Sequence, residues 1–279
     1  MDIHEKENQL FRQWEEYVKE RLDSETVDDL FCYDGLHYTG EPDKSSGYWL
    51  MQRDYREEEL WNNAFIRPAF LTKDHNLNGD EEGVDIRTET GMNNDNNNVY
   101  HAFYARYLQL MYGLGHIDPH TYDCPSFEEA SQKENYLSFF HHDAAVVRIN
   151  VKKIAGYESC PHQLLQEYVL FDQEYIRRQL GLYRPNVIIC CDGSDFKPNQ
   201  RDVITNPIME MLFHFYPDLK AYHYPEDEYN FIYFSEAAKV IVLHEWHPSS
   251  RSVSYHDYYL AIPQLCKFLK QHLQFLQRR

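Results

Sequence analysis

Pro68-Ala69-Phe70-Leu71-Thr72-Lys73-Asp74-His75-Asn76 joins a short apolar run to a polar tail. Proline lacks the amide hydrogen that a central strand needs, so Pro68 fits the first position of a strand ending at Thr72. Two other runs are built alike: Ala144 to Ile149 closes on Asn150, and Val240 to Glu245 leads into His247-Pro248-Ser249. If the three are parallel strands of one sheet, their ends share its carboxyl edge, where open α/β sheets bind ligands. The carboxylate of Asp74, the carboxamide of Asn150 and the imidazole of His247 then converge on one pocket.

The remaining chain supplies helices between such strands. Leu10, Trp14, Tyr17, Val18 and Leu22 recur at helical spacing from Gln9 to Leu22. Helices are also expected over Tyr100 to Leu114, Pro161 to Leu182, Arg201 to Phe215 and the C-terminal stretch through Leu265 and Leu276. Val187 to Cys191 reads as a further strand, ending in Asp192-Gly193-Ser194, whereas Asp34 to Asp54 reads as irregular and Lys73 to Asn98 as a long polar loop forming a wall of the site. Alternating strands and helices predict an α/β fold, a three-layer αβα sandwich around a short, mainly parallel four-stranded sheet. One domain is expected over residues 1–279, with a helical and irregular N-terminal region (1–64) and a core (65–279).

Composition narrows the function. No apolar run reaches membrane-spanning length and no basic-then-apolar leader opens the chain, so a cytoplasmic protein without a membrane partner is expected. Six cysteines show no zinc or iron-sulfur spacing and read as packed thiols. His141-His142-Asp143 precedes its strand and belongs at the opposite edge, so no metal is expected at the site. There is no P-loop and no G-x-G-x-x-G, which leaves no cofactor. The nucleophile elbow G-x-S-x-G is also missing, which argues against a hydrolase triad of Ser249, His247 and Asp74. With 27 basic and 45 acidic residues the formal charge is -18, which opposes non-specific attraction to nucleic acid. Any DNA contact must use a local patch, for which Arg87, Lys152, Lys153, Lys197, Arg201 and Arg251 are the candidates.

The three motifs, in this order and each after a strand, resemble those of the uracil-DNA glycosylase superfamily, and Asp192-Gly193-Ser194 is similar to its W-G-S turn. The resemblance covers roughly Ala69 to Gln274 and implies a base-excising DNA repair hydrolase that cleaves the N-glycosidic bond of uracil or a related damaged base. By resemblance, Asp74 positions or activates water and stabilises the oxocarbenium-like sugar, while His247 donates to the anion developing on the uracil carbonyl. The same resemblance makes Asn150 the reader of the base edge and Ser249 and Ser194 contacts to substrate. Arg251 takes the wedge position, as in the single-strand-selective branch. His75 and Asn76 stand where the family has Pro and a thymine-excluding Tyr. The base-stacking aromatic falls near Ile86 or Arg87, which leaves Phe103 or Tyr104 for that role. The implied partner is uracil-containing DNA, single-stranded by preference. A non-catalytic binder of a free nucleobase and a hydrolase of small nucleosides are the alternatives.

Overall fold

The computed structural model describes residues 2–75, 85–93, 102–156, 160–191, 206–222, 231–272 and 275–276. Among them the strands are β1 (Gly35–Leu36), β2 (Pro42–Ser46), β3 (Tyr48–Met51), β4 (Pro68–Thr72), β5 (Glu89–Asn93), β6 (Val147–Asn150), β7 (Val187–Cys191), β8 (Lys220–Tyr222), β9 (Phe231–Ser235) and β10 (Val240–Glu245). The helices are α1 (Ile3–Lys19), α2 (Ser24–Leu30), α3 (Glu57–Asn63), α4 (Ala102–Gly115), α5 (Phe127–Ala130), α6 (Lys133–His142), α7 (His162–Tyr183), α8 (Pro207–Phe215), α9 (Tyr255–Tyr259) and α10 (Ala261–Gln271).

The central sheet has seven strands in the order β1-β6-β4-β7-β10-β9-β8, not the four expected. The four strands legible in the sequence are its contiguous parallel centre. The three extra strands run antiparallel to their neighbours at the two edges, where β1 and β8 are only 2 and 3 residues long. Runs that short carry no periodicity to detect. A second sheet, β2-β3-β5, takes β5 from the stretch read as a long polar loop, and β2 and β3 from the stretch read as irregular. Glycines with positive φ at positions 35, 40 and 47 interrupt that stretch and hide its strands.

Strand residues alternate between two apolar layers, as the pleat requires. Phe70, Ile189 and Leu243 pack with Tyr107 of α4, Phe140 of α6 and Leu265 of α10. Leu71, Ile188 and Val242 pack on the other face with Trp14 of α1, Ile176 of α7 and Leu212 of α8. Helices therefore cover both faces. The N-terminal region is part of this core, because Phe11 and Trp14 are fully buried and β1 joins the main sheet. Helix α1 starts at Ile3, ahead of the expected Gln9, because Asp2 and Glu5 form a capping box that satisfies its first amides.

Gly35 shows how tightly the N-terminal region is joined to the sheet. Its φ is +125°, and a Cβ there would lie 1.9 Å from Glu7 Oε1 and 2.2 Å from the Tyr183 hydroxyl. Neither oxygen can retreat, since both are buried and bonded to each other. Gly35→Ala should therefore destabilise the fold by about 2 kcal/mol or more. A urea midpoint equal to wild type would refute this.

Candidate functional site

The ends of the parallel strands are level: Thr72 pairs with Asn150, Leu71 with Cys190, and Glu245 with Cys191. Asp74 lies two residues past β4 and His247 two residues past β10, on the same edge, with β7 between their strands. The parallel pairing continues beyond the strands through Val151 N to Thr72 O and Lys152 N to Lys73 O, both 2.9 Å. Gly156 N then bonds His75 O at 2.8 Å, so the Asp74 segment is fixed on the chain that follows β6. Within that frame Lys152 Nζ donates to Asp74 Oδ2 at 3.0 Å and to the Ile154 carbonyl, which orients the carboxylate.

His247 is partly buried, and its Nδ1 accepts the Ser249 amide at 3.3 Å and faces Ser249 Oγ at 2.7 Å. An Nδ1 that accepts a backbone N–H leaves the ring proton on Nε2, which has no hydrogen-bond partner among the described residues. Burial, with the positive charges of Lys73 and Arg148 nearby, lowers its pKa to about 4. At neutral pH it is an uncharged donor. Phe103 lies beside it, ring centroids 5.6 Å apart, and Arg148 stacks over Phe103 at 4.8 Å. Arg148 also pairs with Glu89 at 3.1 Å, and Glu89 meets the Tyr104 hydroxyl and, at 3.6 Å, His75 Nε2. A continuous line of contacts thus links the β10 motif to the β4 motif.

Other expected site residues are placed differently. Asn150 is fully buried, its Oδ1 accepting from Thr72 Oγ1 at 2.5 Å and its Nδ2 donating to Cys32 Sγ at 3.4 Å. The carboxamide expected to read a base is occupied in joining β6 to β4. Arg87 is 5% exposed and held by Asp85 at 2.6 Å and Glu7 at 2.6 Å, so it is withdrawn from any phosphate. Lys153 is fully buried on Asp34. Ser249 and Arg251 are exposed in the loop after β10. Asn76, Ser194, Lys197 and Arg201 lie outside the described residues. Among the described residues no group of three His, Cys, Asp or Glu side chains is placed to hold a metal ion.

Two contributors were missed in the sequence. Arg106, buried on α4, donates to the carbonyls of Pro248 at 2.8 Å, Ser250, and Val253 at 2.6 Å, and so holds the loop that carries Ser249 and Arg251. Nothing in its helix pattern distinguishes it. Arg148 did leave a signal, as the lone charge in an apolar strand; a buried charge needs a partner, here the partly buried Glu89.

Buried histidines make the fold acid-sensitive. Burial lowers His37 to about 3 and His141 to about 4. Below pH 6.5 the unfolded chain protonates these rings while the folded one does not, so stability is complete above 6.5 and falls as pH drops toward 4. His247, also lowered to about 4, acts in the same sense, and His4, raised by its bonds to Glu57 and Glu7, opposes them as one ring against three. The loss should reach a few kcal/mol by pH 4.5. His37→Phe should flatten the urea midpoint between pH 7 and 4.5, and an unchanged slope would count against His37.

No protein-family model matches the chain, and no curated protein matches it.

Proposed function

We propose that this protein hydrolyses the N-glycosidic bond of a nucleobase, uracil or a related damaged base, at the edge that carries Asp74 and His247. The observation carrying this reading is His247: a neutral imidazole with Nδ1 engaged by Ser249 and Nε2 open, on the same edge as a lysine-oriented carboxylate. As the bond between the base nitrogen and C1′ breaks, its electron pair leaves with the base. Nε2–H of His247 then donates to the carbonyl oxygen where that charge collects. Asp74 stabilises the positive sugar and orients the water that adds to C1′, and the water's proton passes to solvent. Phe103 offers the ring for stacking on the base.

The substrate has a second reading, favoured by a specific observation. Among the described residues, three of the expected cations are already engaged, Arg87 and Lys153 in buried ion pairs and Lys152 by Asp74, which leaves fewer of them to hold a phosphate backbone. A small nucleoside needs none. Incubating the protein with uracil-containing single-stranded and duplex oligonucleotides, and separately with uridine and deoxyuridine, tests both readings by chromatography of released base. Release from oligonucleotides supports the DNA substrate, and release from nucleosides alone supports the second reading. No release from any of them, beside an active control enzyme, would remove the catalytic proposal.

A further inference from the structure

The six cysteines carry no motif spacing, yet the fold brings two of them together. Cys124 lies in the segment between α4 and α5, and Cys266 lies on α10. The turn before Cys124 is closed by Tyr122 N to Asp118 O and Asp118 N to Asp123 O, both 2.9 Å. The residues on either side of Cys124 are then tied to the C-terminal helices: Lys270 Nζ donates to Asp123 Oδ1 at 2.5 Å, and the Tyr259 hydroxyl donates to the Pro125 carbonyl at 3.0 Å. Lys270 stands one helical turn beyond Cys266, on the same face of α10. Cys124 therefore packs against the apolar layer to which Cys266 belongs, and the two side chains meet.

Packed thiols are common in protein cores, and contact alone would give an inert pair. These two differ from each other in exposure and in acidity. Cys124 is half-buried, whereas Cys266 is 4% exposed. The contact with Cys266 holds the Cys124 thiol below its ordinary pKa, opposed by burial and Asp123 and aided by the Lys270 ammonium. The same contact, together with burial, pushes the Cys266 thiol up. Cys32 and Cys160 are both pushed up by burial as well. The pair thus combines a thiol that ionises within reach of solvent with one that keeps its proton behind it.

We propose that Cys124 and Cys266 are a reversible oxidation site, at which a peroxide converts the thiol pair into a disulfide that fastens α10 to the segment before α5. The Cys124 thiolate attacks one peroxide oxygen, an S–O bond forms and the O–O bond breaks. The departing hydroxide takes up a proton and leaves as water, so sulfur is oxidised to the sulfenic acid and the peroxide is reduced. Cys266 sulfur then attacks Cys124 sulfur, an S–S bond replaces the S–O bond, and the second hydroxide leaves as water with the Cys266 proton. A dithiol reductant reverses the sequence by exchange.

In the reduced protein the polar ties across this junction are the Tyr259 bond and the Asp123–Lys270 pair, whose side chains are 68% and 48% exposed. An ion pair that exposed contributes little. The disulfide adds a covalent link at the same place and closes a loop of roughly 140 residues, which restricts the unfolded chain strongly. Neither Asp74 nor His247 takes part, so the site stands apart from the chemistry proposed for them.

Treating the reduced full chain with a small excess of hydrogen peroxide, blocking the remaining thiols and digesting without reductant locates any disulfide by mass spectrometry. A peptide pair joining Cys124 to Cys266 is expected, and dithiothreitol should restore all six thiols. The oxidised protein should melt about 5 °C or more above the reduced one. In Cys266→Ser, oxidation should stop at a Cys124 sulfenic acid that dimedone labels, and in Cys124→Ser neither the bridge nor a label on Cys266 should appear. Six free thiols after treatment, a bridge that uses Cys160 instead, or dimedone labelling of Cys266 in Cys124→Ser would overturn the proposal. An oxidised protein that melts no higher than the reduced one would also overturn it, because α10 would then not be fastened.

Discussion

Lys153→Met should lower stability by about 3–5 kcal/mol, the usual consequence of leaving one partner of a buried ion pair alone. Lys153 and Asp34 are both fully buried, with Nζ at 2.6 and 2.5 Å from the two carboxylate oxygens. Gln179 bonds both partners, and the Asn150 amide donates to Asp34 Oδ2 at 2.7 Å. Burial already pushes the Asp34 pKa up, and Lys153 is the largest influence opposing it. Without Lys153 the carboxylate must protonate or remain an uncompensated charge beneath the strand end. Adding Asp34→Asn should recover much of the loss, because a neutral acceptor still satisfies the Asn150 amide and no charge is stranded. Urea unfolding at pH 7 reads both effects. A single variant within 1 kcal/mol of wild type, or a double variant worse than the single, would show that the pair does not hold this region together.

The same pair marks where sequence reading reached its limit. Apolar runs bounded by Pro68, Asn150, Cys191 and Glu245 announced the parallel centre because a strand covered on both faces must be continuously apolar. The short β1 and β8 and the sheet β2-β3-β5 carried no such pattern, whereas Phe231 to Phe234 of β9 is an apolar run that the sequence reading passed over. Lys152 and Lys153 are adjacent and look alike, yet one orients Asp74 and the other neutralises Asp34, which lies 119 residues away in sequence. Only the fold decides which lysine meets which acid. Asn150 illustrates the same limit: its position at the strand end was legible, but not its enclosure by Thr72 and Cys32.

Under the proposed reaction, Asp74→Asn and His247→Ala should each reduce base release by about 100-fold or more, with most of the effect in kcat, because each removes a group assigned an interaction that strengthens as charge develops. The expected pH profile follows from His247 itself. With its pKa lowered to about 4, the ring remains neutral as pH falls from 8 to about 5, so the rate should be flat on its account over that range. A rate that follows a group titrating near 6.5 would instead mean that His247 works in its charged form. Asn150→Ala separates a base reader from a strand tie. Its carboxamide is buried and bonded to Thr72 and Cys32, so the substitution should cost about 1–3 kcal/mol of stability and change KM little. If KM rises about tenfold while stability is kept, the side chain must turn out of this geometry to meet the base, and the site opens when substrate binds.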